Sequence, residues 1–383
     1  MIYSQKMTNR KTAILLLALS CVPMGFAAPL KAGKAIGKTE RLLYVTDKTG
    51  ISIYDINDGH QLLRRIDIPD SGGYKGISAS PQLGKLYVTS NLKDELICID
   101  LQTDKIVWRK KYGKYADSPG ITPDGKTLYL PFREEDSWWV INASDGEVIA
   151  KIPVAKGKNY DVNPIGNPVG AHNTWPSPDG KRMYFEVLTV PYVFIADTAT
   201  NKLIGKVGPF SKGVRPFAVT DDETKVYSSV DGFLGFEIGA ARTGKEWGGK
   251  LLEKVEAHTP PQRLAQIPVP PAHKPHSTPS HGINITPDQK EVWMVDGVYG
   301  YVYVYNVTVN PPKLVASVPL FKDPKDQPHP GWITFGIDGK FAYPDQGGVI
   351  DTKTKKTVAW IPLSEKLLEV DFEDGKPSKA GHR

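Results

Sequence analysis

His172, Arg215 and His281 are the residues whose type and spacing first suggest chemistry. Each stands six residues ahead of a turn: His172 before Pro178-Asp179-Gly180, Arg215 before Asp221-Asp222-Glu223, His281 before Pro287-Asp288-Gln289. The same count back from other copies of the turn gives Lys75, Asp117, Gly331 and Leu367, so five of seven positions are ionisable. A second set, Glu186, Asp231, Asp296 and Asp345, follows the strand after each turn. Converging imidazoles, carboxylates and a guanidinium are the ingredients of an anion, metal or acid–base site. The candidate ligand-binding residues are Lys75, Asp117, His172, Arg215, His281, Glu186, Asp231 and Asp296. Neutral imidazole also suits zinc, copper, iron or nickel. The candidate metal ligands are His172, His281, His329 and His276, the last in a Pro-rich insertion over 260–279 with seven prolines. That insertion reads as an ordered cover or an extended surface loop. The competing structural reading is a wet channel whose charges satisfy one another. His60, in an outer turn, and His382, near the end, read as solvated.

The elements that must position these residues come from an internal repeat. A Pro-Asp-Gly-Lys-like turn followed by a strand carrying Tyr recurs six times, as in Pro123-Asp124-Gly125-Lys126 and Pro178-Asp179-Gly180-Lys181. A second turn, opening on Asp or Asn, recurs seven times, at Asp55, Asp100, Asn142, Asp197, Gly239, Asn306 and Asp351, the fifth copy carrying Gly instead. The mismatch is informative. The first repeat, near Arg41, lacks an inner strand, and the segment 368–376 supplies a copy of one at the far end. The expected fold is an all-β, seven-bladed β-propeller with four-stranded antiparallel blades. The C-terminal strand completes blade one and removes the open edges. On this reading 1–27 is a signal peptide, 28–40 a leader, 41–376 the propeller and 377–383 a tail. Loops leading into the inner strands and loops after the second strands share one face, so both residue sets meet at one mouth of the central channel.

Tyr44-Val45-Thr46 and Tyr87-Val88-Thr89-Ser90 resemble the signature of the YVTN family of bacterial β-propeller repeats. Ser280-His281-Gly282-Ile283-Asn284-Ile285-Thr286 and Pro330-Gly331-Trp332-Ile333-Thr334-Phe335 resemble segments of its exported members. The resemblance covers nearly all of the chain after the leader. It implies the propeller and says little about chemistry, because such propellers host many functions. The propeller of nitrous oxide reductase, whose channel-end histidines hold copper, is similar in fold. Only two of the seven ring positions here are His and no copper domain follows, so that enzyme is rejected. Methylamine dehydrogenase heavy subunits and propeller lactonases share the architecture without a matching motif.

Composition narrows the rest. Lys6, Arg10 and Lys11 precede an apolar run over 13–26, and Gly25-Phe26-Ala27 suits cleavage ahead of Ala28. The chain is therefore expected to be periplasmic or secreted. Lipidation at Cys21 is the less favoured alternative. The segment 1–27 accounts for half of the net charge of +6, which leaves no case for nucleic-acid binding. No other long apolar segment suggests a membrane span. Cys98 reads as a buried strand thiol. Trp138, Trp139, Trp293 and Trp332 read as packing between blades. No Gly-x-Gly-x-x-Gly, Walker, Cys-x-x-Cys-His, Gly-x-Ser-x-Gly or His-Glu-x-x-His motif is present. No nucleotide, flavin or covalently attached c-type haem is thus indicated, and a transition metal ion is the one cofactor the histidines suggest. Three functions fit: a propeller binding a small, anionic ligand or a metal ion at the His-bearing mouth; a periplasmic enzyme (lactonase, lyase or redox subunit) using His172, His281 and Arg215; or a rigid protein-interaction platform using the long loops 155–169 and 240–280.

Overall fold

The computed structural model describes residues 39–135, 137–154, 170–188, 190–258, 260–266, 278–326, 328–362 and 364–381. The expected signal peptide, Cys21, the loop 155–169, His273, His276 and His382 lie outside the described residues. Seven antiparallel sheets follow one another along the chain and form a seven-bladed β-propeller. Blade two shows the plan: Tyr74–Ser80 innermost, then Lys85–Ser90, Glu95–Asp100 and Ile106–Lys111 outermost. Inner strands are buried on both faces. Outer strands alternate, as in Lys313–Pro319, because one face meets solvent.

The repeated turns have a local chemical cause. In the tight turn the Ser or Thr hydroxyl donates to the Asp carboxylate, as Thr122 to Asp124 (2.6 Å), Ser177 to Asp179 (2.8 Å) and Thr286 to Asp288 (2.7 Å). The same carboxylate accepts the backbone N–H two residues on, at 3.1 Å from Lys126 and 3.0 Å from Lys181. Gly125 and Gly180, both at φ 70°, take the left-handed position between them. In the degenerate fifth copy Glu223 holds that position at φ 53°. Its carboxylate is recruited by its neighbours on blade four, Arg182 Nε (2.7 Å) and the Tyr184 hydroxyl (2.9 Å), so the turn survives without glycine. The second turn is an Asx turn: Asp100 accepts from the Gln102 and Thr103 amides, and Asp197 from Thr200.

The recurring Tyr joins blades. Tyr87, Tyr129, Tyr184 and Tyr343 are fully buried at equivalent places, with Trp293 in blade six. Tyr87 donates to the Ala143 carbonyl of blade three (2.6 Å), Tyr129 to Asn201 of blade four (2.9 Å) and Tyr184 to Glu223 of blade five. Tyr343 of blade seven meets His60 Nε2 of blade one at 3.1 Å. This corrects the expectation for His60. It is buried, packs edge-on against Phe341 with centroids 4.9 Å apart, and is held down to a pKa of about 4 by burial and by Arg41. Trp138 and Trp293 are buried between blades, and the Cys98 thiol is pushed up to about 12 by burial.

Blade one closes the ring. Leu367–Glu373 pairs antiparallel with the inner side of Glu40–Thr46, in the place that the inner strand takes in the other blades. Arg41 clasps the join, with Nε on Glu369 (2.7 Å) and both Nη atoms on Asp338 of blade seven (2.7 and 2.8 Å). The residues expected as a tail do more than trail: Lys376–Ala380 forms a further strand on the inner edge of Leu367–Glu373, inside the channel. The 240–280 insertion is partly structural too. Glu246–Gly249 runs parallel to the outer strand Lys202–Val207 of blade four, and Pro261–Gln266 is a short helix anchored by buried Arg263 on the Tyr299 and Asp326 carbonyls. Among the described residues no helix is long and apolar enough to cross a membrane.

A chain ending at Ser364 should fail to close. It loses the inner strand of blade one and the Glu369 end of the Arg41 clasp, and exposes an edge on Glu40–Thr46. We expect aggregation in size-exclusion chromatography or a much lower melting temperature. A monomer as stable as the full chain would refute the closure.

Candidate functional site

The inner strands start at the mouth of the channel, so the residue that opens each one faces the axis. Lys75, Asp117, His172, Arg215, His281 and Gly331 all line one cavity of about 480 Å³. Leu367, the seventh ring position, sits just beneath with Lys366, which does reach the cavity. Gly331 leaves room there: a Cβ at that position would meet His281 Nδ1 at 3.5 Å and Asp345 at 3.7 Å.

His172 is the most constrained group. Arg133 Nη2 lies 3.0 Å from His172 Nε2. A guanidinium only donates, so Nε2 accepts and the ring proton sits on Nδ1. Nδ1 then donates to Glu186 Oε2 at 2.7 Å, an oxygen that also accepts from Asn173 Nδ2 at 2.7 Å. Arg133 is fixed in turn by Asp117 through its Nε. Glu186 is wholly buried, and burial pushes its pKa up to about 8 against the pull of Arg215 and Asn173. Its Oε1 has no hydrogen-bond partner among the described residues. The acid is therefore largely protonated at neutral pH.

The other side of the mouth is organised differently. Arg215 Nε bonds Asp231 (2.7 Å) and Thr278 (3.1 Å), so this guanidinium is held from behind. His281 Nδ1 donates to the Gly331 carbonyl at 2.7 Å, which places its lone pair on Nε2. The His172 and His281 ring centroids are 6.3 Å apart. Asp345 accepts the Gly331 and Trp332 amides at 3.0 and 3.1 Å, and burial raises it to about 6 despite Lys366. Trp332 was expected only to pack between blades. It is buried but also forms cavity wall, with Lys366 Nζ 3.3 Å above its ring.

Two expected residues fall outside this arrangement. Asp296 caps its own turn, accepting the Val298 and Tyr299 amides and the Tyr303 hydroxyl, and does not line the cavity. His329 Nδ1 bonds the Gly297 carbonyl (2.9 Å) and does not line the cavity. Arg133 and Asn91 line it without having been singled out. Both stand in loops after second strands, Thr127–Pro131 and Lys85–Ser90, where only carboxylates had been sought. Among the described residues no group of three or more His, Cys, Asp or Glu side chains converges as a metal site. With Arg133 on His172 Nε2, a bare cation there would meet a fixed positive charge.

No protein-family model matches this sequence, and no curated protein matches it significantly. Among solved structures, the chain is similar to the β-propeller domain of Myceliophteria thermophila Cps50 (Swd1), at 11% identity and TM-score 0.60, over 80% of this chain and 89% of that one. It is also similar to Kuenenia stuttgartiensis hydrazine synthase, at 18% identity and TM-score 0.47, over 74% of this chain and 96% of that one. The first likeness speaks to the fold alone.

Glu186 should leave a mark on stability. Its folded pKa lies above its unfolded value, so between about 4.5 and about 8 the folded chain binds more protons. Stability contributed by this group is full below that window and is lost as pH rises through it. Thermal melts of the native chain and of Glu186→Gln, subtracted across pH 4–9, should show this descending limb in the native chain only. Parallel profiles would mean that the carboxyl has the same pKa folded and unfolded.

Proposed function

We propose that this protein is an exported propeller of the YVTN repeat type that binds a small anionic ligand at the mouth of its channel. One observation carries the reading: Lys75, Arg133, Arg215 and Lys366 reach a single cavity together with His172 and His281. Asp345 in the cavity wall and Glu186 behind His172 are both raised by burial, which tilts the balance toward positive potential. The guanidiniums are braced by Asp117 and Asp231, so binding an anion costs little side-chain ordering. Lys75 makes no ion pair among the described residues and is the cation most available to a ligand.

The charged segment 1–27 and its small-residue cleavage motif support export. Mature protein from its native host should then begin at Ala28. An enzyme is the second reading, favoured by His281, whose Nε2 carries the lone pair on a cavity-lining ring, as a general base requires. A metal at His172 would first have to displace Arg133. A partner platform would use the rim and the long loops.

Isothermal titration with inorganic phosphate and with small dicarboxylates tests the lead. Lys75→Met should cost about 1.5–3 kcal/mol of affinity, the worth of one hydrogen bond to a charged group. His172→Ala with His281→Ala should abolish binding while the circular dichroism stays native. Native-like binding by both variants would leave only the wet-channel reading.

A further inference from the structure

The donors of the mouth fall into two groups. Arg133 and Arg215 stand on blades three and five, with His172 of blade four between them. Lys366 and Lys75 enter from blades one and two, and two side-chain amides join them. Gln346 comes from the loop after Phe341–Pro344 of blade seven, and Asn91 from the loop after Lys85–Ser90 of blade two. The orientation of Gln346 is fixed: its Oε1 accepts the His329 amide at 2.9 Å, so its amino group is the part presented to the cavity. Asn91 buries its Oδ1 against Gly73, where it meets no hydrogen-bond donor among the described residues, and likewise presents its amino group. The acids of the wall act as braces. Asp117 holds Arg133 and the Ser118 amide, and Asp345 holds the Gly331 and Trp332 amides. Glu365, beside Lys75 and Lys366, keeps its Oε2 buried. One donor group is thus centred on blade four and the other on blade one, three of seven steps apart and so nearly across the axis.

Size argues in the same direction. A cavity of about 480 Å³ falls in the range of roughly 300–1,000 Å³ that holds an organic ligand. One water takes about 30 Å³, so a lone inorganic ion would leave most of the space to solvent. We infer that the ligand is an organic dianion with an anionic group at each end, of which an α,ω-dicarboxylate is the simplest, and that it bridges the mouth. One end lies on Arg133 and Arg215, the other on Lys75, Lys366 and the amino groups of Asn91 and Gln346. This rests on the anion-binding reading above and adds the second end to it. A monoanion would engage one group and leave the donors of the other to water, so the second charge is what this site can select.

The test titrates the full chain with the dicarboxylates from malonate to adipate and with the half-amide of each, which keeps the length and removes one charge. At the length that fits, the diacid should bind about ten- to a hundredfold tighter than its half-amide. Two variants read the second end. Gln346→Glu keeps an acceptor for the His329 amide but puts an anionic oxygen where the amino group was, and Lys75→Met removes a cation. In both, the advantage of the diacid should shrink to about twofold or less, while the half-amide loses little. Equal affinity for diacid and half-amide at every length in the native chain overturns the two-ended ligand and leaves the anion site standing. An advantage that survives unreduced in both variants, with native melting temperatures, overturns the assignment of the second end. Binding of none of these acids, nor of inorganic phosphate, overturns the site itself.

Discussion

The contact on which this structure depends is the one between a blade's buried Tyr and the next blade. A four-stranded sheet of this size cannot bury both of its faces alone. Here each blade leans on its neighbour, and the hydroxyls of Tyr87, Tyr129 and Tyr184 each donate to an atom of the following blade. Such a chain of obligations must either end in caps or return to its start. It returns: His60 of blade one completes Tyr343 of blade seven, and Arg41 joins the first strand, the last turn and the closing strand.

Closure then dictates what lies in the channel. The closing strand Leu367–Glu373 takes the inner place of its four-stranded blade, so the chain that follows it can go only outward over the face or inward along the axis. The tight turn at Asp374-Gly375, both at positive φ, sends it inward. The two ends of the channel are therefore unlike. One is occupied by the chain's own strand, and the other is an open cavity crowded with charge.

Much of this was legible because the repeat is written in turn chemistry. Thr122 with Asp124, Ser177 with Asp179, Thr220 with Asp222 and Thr286 with Asp288 repeat one hydrogen bond, and the turn they build marks the inner strands and hence the ring positions. Six of the seven counted positions do reach the cavity for that reason. What stayed hidden depends on side-chain direction, which spacing does not encode. Asp296 and Asp231 occupy equivalent loops, yet one folds back on its own amides and the other reaches across to Arg215. Arg133 was equally well placed but was passed over because the loops had been read for acids. His60 looked solvated beside Gly59, since nothing local says that Phe341 and Tyr343 from the opposite end of the chain will cover it. The inward strand had no copy elsewhere in the repeat, so repetition could not announce it.

The state of His172 bears on what kind of site this is. A base must offer its lone pair to a substrate, and here that lone pair is already bonded to a guanidinium. The guanidinium is in turn balanced by Asp117, and the imidazole proton is held by an acid that burial keeps largely neutral. The resulting chain, Asp117–Arg133–His172–Glu186, is rigid and fixes the orientation of each member. Rigidity of this kind preserves a pattern of donors; it does not prepare a proton for transfer. His281 lies outside that chain of four, with Nδ1 on the Gly331 carbonyl, so of the two imidazoles it is the one on which the enzyme reading rests.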